Sequence, residues 1–94
     1  MSSTMEVINT EIFKVNNLIR CLKMGAKEEF VGLTLKEAEK YMELIGKLTL
    51  ENYKTENFRM YQLLKVFKEC KNAEERAGFN LKIAKKYYDF LESL

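Results

Sequence analysis

The sequence predicts an all-α fold, a small four-helix bundle, and three observations carry that expectation. Apolar residues recur at alternating steps of four and three from the start, at Met1, Met5, Ile8, Ile12, Val15, Ile19 and Leu22. That spacing lines up one face of a helix. Proline, the strongest helix breaker, is absent from the chain. The β-branched residues are scattered, and no alternating run is bounded by turn residues, so no strand signal competes.

The first helix is expected over 4–24. Ser3-Thr4-Met5-Glu6 supplies a capping oxygen and a carboxylate three residues on, and Gly25 can take the left-handed conformation that ends a helix. Leu33-Thr34-Leu35-Lys36-Glu37-Ala38 repeats the logic: Thr34 caps, Glu37 reaches back and Leu33 staples onto Ala38. Leu35, Ala38, Met42 and Ile45 then keep helical spacing over 35–45, as far as Gly46. Leu48-Thr49-Leu50 echoes Leu33-Thr34-Leu35, but the residues after it diverge, so it reads as a reused cap and not as a repeat.

A third helix over 50–71 carries Leu50, Tyr53, Met60, Leu64 and Phe67. Its second half, with Leu63, Leu64, Val66, Phe67 and Cys70, spreads apolar groups widely and is expected to be well buried. Asn72, followed by Glu74 and Glu75, opens a fourth helix over 73–92. Gly78 within it costs about 1 kcal/mol relative to alanine, so a bend or break there, with Asn80 as a second cap, is the alternative. Ala77, Leu81, Ala84, Tyr88 and Leu91 form one apolar line, and Phe79, Ile83, Tyr87, Phe90 and Leu94 a second. A face this wide needs two neighbours and makes the fourth helix the expected centre of the bundle, the third and fourth being the most buried. The seam of the first helix finds its partner either in the fourth helix or in a copy of itself, which would make a homodimer.

A chain of 94 residues supports one modest core, hence a single domain over 1–94. Hydrophobic residues at 47% and charged residues at 32% suit a folded protein. The net charge of +2 lacks the excess expected of a strong nucleic-acid binder. Cys21 and Cys70 stand in no metal-binding spacing and read as small buried hydrophobes or free thiols. No basic segment leads into an apolar run, and no run approaches the ~20 residues that cross a bilayer. The expected setting is the cytoplasm, without a membrane and with reduced thiols.

Histidine is absent, which removes the commonest general base and metal ligand and every Ser-His-Asp or Cys-His nucleophile. Both cysteines fall late in their predicted helices, where the dipole disfavours a thiolate. Gly25, Gly32, Gly46 and Gly78 are isolated and form no phosphate loop. Glu37, Glu39 and Glu43 interleave with Lys36, Lys40 and Lys47, so Glu43 and Lys47 read as a solvent-side ion pair instead of a metal site. The expectation is no enzyme, no metal and no cofactor.

Phe13 projects away from the seam, between Glu6, Asn17, Arg20 and Met24, and an exposed aromatic beside arginine and methionine fits an interface hot spot. Phe13, Asn17, Arg20 and Met24 are therefore the candidate partner-binding residues. The competing placement packs Phe13 under the 26–33 connection, against Phe30 or Val31. Phe58, near Lys54 and Lys65, carries the same ambiguity.

The expected function is that of a small non-catalytic regulatory or inhibitory protein that binds another protein through a helix surface. A phage-borne host-takeover or immunity-type role would suit it. The alternative is a small helical nucleic-acid-binding regulator using Lys65, Lys68, Lys82, Lys85 and Lys86, beside Tyr87 and Tyr88. Against that alternative, Lys85 and Asp89 pair at helical spacing and Glu75 shares the lysine face. The stretch from Thr34 to Thr49 superficially resembles a helix-turn-helix. Its Ala38 and Gly46 lie eight residues apart, too far for the three- to four-residue turn of that motif.

Overall fold

The chain divides into two compact units, Met1–Leu48 and Thr49–Leu94, and in each the final helix starts at a side-chain cap, Thr34 in the first and Asn80 in the second. The computed structural model of the chain describes residues 3–94, so Met1 of the apolar seam lies outside the described residues. The fold is all-α, and no strand occurs among the described residues.

The first unit holds α1 (Thr4–Lys23), α2 (Glu28–Val31) and α3 (Leu35–Ile45). Both predicted capping boxes form. Glu6 N donates to Ser3 Oγ at 3.1 Å while Ser3 N donates to Glu6 Oε2 at 3.4 Å. Glu37 N and Thr34 exchange the equivalent bonds at 3.0 and 2.9 Å. The short α2, which the periodicity does not signal, ends at Gly32 in the left-handed conformation (φ 82°). Leu33 is buried directly after it. Seven-residue spacing brings Ile8, Val15 and Leu22 onto one stripe of α1, and all three are buried where α1 packs on α3. From α3 come Ala38, Tyr41 and Ile45. Within its own unit the seam therefore packs on α3.

The second unit holds α4 (Tyr53–Glu69), α5 (Ala73–Ala77) and α6 (Leu81–Glu92), with α6 packed on α4. The predicted 50–71 helix starts three residues late, because Thr49 closes a turn first. Thr49 Oγ1 accepts from Glu51 N and Asn52 N, and Thr49 N donates to Asn52 Oδ1 at 2.8 Å. The continuous 73–92 helix is replaced by the alternative: Gly78 turns left-handed (φ 84°), and Asn80 Oδ1 caps α6 by accepting from Ile83 N at 3.0 Å. The second half of α4 is not well buried. Leu63, Leu64 and Phe67 are half-buried and Val66 is exposed, which leaves Met60 as the one buried residue of α4. An apolar arc that wide exceeds what one packed neighbour covers. The expectation holds better for α6, which buries Ile83, Ala84, Tyr87 and Leu91. Cys21 and Cys70 are free and exposed, not buried, since Cys21 lies off the seam and Cys70 sits in extended backbone past the end of α4.

The two units share more than a plan. Aligning Thr4–Lys23 with Thr49–Lys68 gives identity at Thr4/Thr49, Glu6/Glu51, Thr10/Thr55, Glu11/Glu56, Phe13/Phe58, Leu18/Leu63 and Lys23/Lys68. After one extra residue in the second unit, identity resumes at Glu28/Glu74, Glu29/Glu75, Gly32/Gly78, Leu35/Leu81, Lys36/Lys82, Ala38/Ala84, Lys40/Lys86 and Tyr41/Tyr87. Val15/Met60, Ala38/Ala84, Tyr41/Tyr87 and Ile45/Leu91 are buried in both. The chain is two copies of one helical unit: long helix, short helix, left-handed glycine, capped final helix. The expectation of no repeat is thus corrected, and the Leu-Thr-Leu echo is neither a reused cap nor the sign of this repeat. Leu48-Thr49-Leu50 corresponds to Ser3-Thr4-Met5, not to Leu33-Thr34-Leu35.

Candidate functional site

One hydrogen bond fixes which side of each long helix faces outward. In the first unit the buried Tyr41 hydroxyl donates to Glu11 Oε2 at 2.6 Å. The second unit repeats the bond, from Tyr87 to Glu56 Oε1 at 3.3 Å. Two residues advance a helix by about 200°. With Glu11 turned toward α3 and Glu56 toward α6, Phe13 and Phe58 are carried to the opposite side. Phe13 is 68% exposed and Phe58 64%.

The candidate residues share that outward side of α1. Arg20 is exposed, Asn17 half-buried, and Met24, the C-cap residue, 82% exposed. The alternative placement of Phe13, packed under the 26–33 connection against Phe30 or Val31, fails because the Phe13 ring is itself 68% exposed, and Phe30 is 86% exposed. On α4 the same chemistry recurs in the same order: Arg59 for Lys14, Gln62 for Asn17 and Lys65 for Arg20, around Phe58. The sequence signal that could have found Phe58 as the equivalent of Phe13 is the shared pattern Thr-Glu-x-Phe followed by a cation, at residues 10–14 and 55–59.

The electrostatics of the two faces differ. Arg59 donates to Glu56 from Nε at 2.6 Å and from Nη2 at 2.9 Å, a bidentate pair. The hydrogen bond to Glu56 holds the Arg59 guanidinium above its ordinary pKa. Lys65 Nζ lies 4.4 Å from the Tyr61 ring centre. Burial, with Glu56 beside it, pushes the Tyr87 hydroxyl well above the usual tyrosine range. Tyr88 is raised by its hydrogen bond to Glu92.

The residues of the nucleic-acid alternative fall on two helices. Lys65 and Lys68 are exposed on α4, Lys82 and Lys85 are exposed on α6, and Lys86 is half-buried. Tyr87 is buried and so presents no ring for base stacking, and Tyr88 pairs with Tyr61 at 6.3 Å between ring centres. Lys40 and Lys47 both lie near Glu43, at 3.5 and 3.7 Å, so the expected Glu43–Lys47 pair forms. No group of three or more Cys, Asp or Glu side chains converges on a metal-sized site among the described residues. Nor is any helix among them long and apolar enough to cross a membrane.

The chain was also compared with known proteins. No family model, curated protein or solved structure matches it.

Proposed function

We propose that this is a small non-catalytic regulatory or inhibitory protein that binds another protein through the outward face of α1, with Phe13, Asn17, Arg20 and Met24 as contacts. The exposure of Phe13 carries the reading: a ring 68% open to solvent, flanked by an exposed arginine and methionine, has the composition of an interface anchor. A phage-borne host-takeover protein or an immunity-type protein would work in this way. The proposed setting is the cytoplasm, which suits two exposed free thiols. Self-pairing through the α1 seam gains no support, since Ile8, Val15 and Leu22 are buried.

The test is affinity capture from source-cell lysate with the wild-type chain and with Phe13→Ala/Arg20→Ala. The expected outcome is a protein partner that survives nuclease treatment and is lost with the double variant, at unchanged melting temperature. Retained capture removes this face from consideration. Loss of all captured material on nuclease treatment favours the nucleic-acid alternative instead.

A further inference from the structure

We infer that the outward face of α1 is self-complementary and docks antiparallel on the same face of a second copy of this chain, with Phe13 against its counterpart at the twofold axis. This is the face on which the protein-binding reading rests, and the second copy is a competing occupant for it. Glu6, Phe13 and Arg20 follow one another at steps of seven, and all three are exposed. Seven residues advance a helix by about 700°, nearly two full turns, so these side chains share one stripe. Asn9, Thr10 and Asn16 beside the stripe are exposed as well, and Asn17 is half-buried.

Charge and symmetry name the occupant. In an antiparallel pair centred on Phe13, each residue lies level with the one equally far beyond Phe13 in the second copy. Glu6 then meets Arg20 at both ends, Asn9 meets Asn17, Thr10 meets Asn16, and ring meets ring. A parallel pair would instead set Glu6 on Glu6 and Arg20 on Arg20, like charge against like. Along a single helix Glu6 and Arg20 stand about 21 Å apart and cannot pair. Arg20 makes no ion pair among the described residues, and the capping box engages Glu6 only through Oε2, at 3.4 Å from Ser3 N. The α4 face does not keep this symmetry. Around Phe58, Lys54 replaces Asn9, Glu69 replaces Met24, and Glu51, the counterpart of Glu6, lies in the turn before α4. Arg59 is already held by Glu56. Self-pairing therefore belongs to α1 alone, and a contact of one ring and mostly polar neighbours per helix falls in the small, reversible class.

Sedimentation equilibrium of the full chain, over about a hundredfold range of concentration, is expected to show a monomer–dimer equilibrium that weakens with added salt. Arg20→Glu makes both charge pairs repulsive and weakens pairing at least about 100-fold, and Glu6→Lys does the same from the other side. Mixed together, these two variants pair with each other, since each supplies the charge the other lacks. Phe13→Ala weakens pairing and Phe58→Ala leaves it unchanged. Arg20→Glu and Phe13→Ala leave the capping box intact, and unchanged circular dichroism shows that their loss of pairing is not loss of fold. A monomer at every concentration, no recovery on mixing, or loss of the dimer with Phe58→Ala overturns the inference. Lysate capture separates the two levels: a captured partner with a chain that stays monomeric keeps the protein-binding reading and overturns self-pairing. A dimer with no captured partner keeps self-pairing and overturns that reading.

Discussion

The first unit and the second realise one plan with different materials. Where the first buries Ile8 and Leu22, the second has the half-buried Tyr53 and Phe67. Leu33, buried after Gly32, becomes Phe79 after Gly78, and Phe67 meets Phe79 edge-on at 6.0 Å. Such a pair adds roughly 0.5–1.5 kcal/mol beyond area burial. Aliphatic residues that disappear into the interior have been exchanged for rings that stay partly wet and contact one another. The polar bond shifts in the same direction. Glu11 meets Tyr41 at 2.6 Å, whereas Glu56 divides its oxygens between Tyr87 and Arg59. The plan therefore depends on the caps, the left-handed glycines and the tyrosine–carboxylate bond, while the bulk filling the interior can change.

Four measurements break or sharpen this contrast. The largest effect is expected from Tyr41→Phe, which leaves a part-buried carboxylate without its donor and should lower stability by roughly 1.5–3 kcal/mol in urea unfolding. Tyr87→Phe should cost less, because Glu56 keeps Arg59. Equal losses would mean that Arg59 does not compensate. Next come Gly32→Ala and Gly78→Ala. Both glycines have φ above +80°, where a Cβ costs about 1–2 kcal/mol. A Cβ at Gly32 would meet no atom within 4 Å, so strain alone sets the loss there, and thermal melts should give similar values for the two positions if the turns are truly equivalent.

A third measurement concerns alkaline pH. Tyr87 is neutral in the folded chain and its pKa lies above that of an unfolded tyrosine, near 10. Its contribution to stability is complete below about pH 10 and is lost as the pH rises from there toward the folded-state value, since the unfolded chain releases the proton first. Urea midpoints followed upward from about pH 8 should fall more steeply for wild type than for Tyr87→Phe. The smallest effect is expected from Phe13→Ala and Phe58→Ala, each within about 0.5 kcal/mol of wild type, as for exposed side chains elsewhere. A larger loss at either would show that the ring supports its own unit.

Much of this architecture is legible in the residues. Ser3/Glu6 and Thr34/Glu37 define helix starts by local chemistry alone, and α1 and α3 form close to where their patterns predict. The break at Gly78 was readable as an alternative, because glycine before an Asn cap favours an elbow over a continuous helix. Burial along α4 was not legible, since periodicity reports which face is apolar and not how much of that face a neighbour covers. The repeat was legible but concealed: the extra residue between Lys68 and Glu74 changes the offset between copies, so no single period aligns both halves. The exposed Phe13 could be placed on its helix face from spacing. Its openness depends on where the 26–33 connection, with Phe30 and Val31, lies, which is a matter of tertiary structure.

Each unit also brings its own chemical handle. Cys21 lies in the last turn of α1 and Cys70 follows the end of α4, both free and open to solvent. The protein can therefore take a pair of thiol-reactive dyes or spin labels without an engineered cysteine. Distances between such labels, recorded with and without a bound partner, would turn the arrangement of the two copies into a directly measured variable.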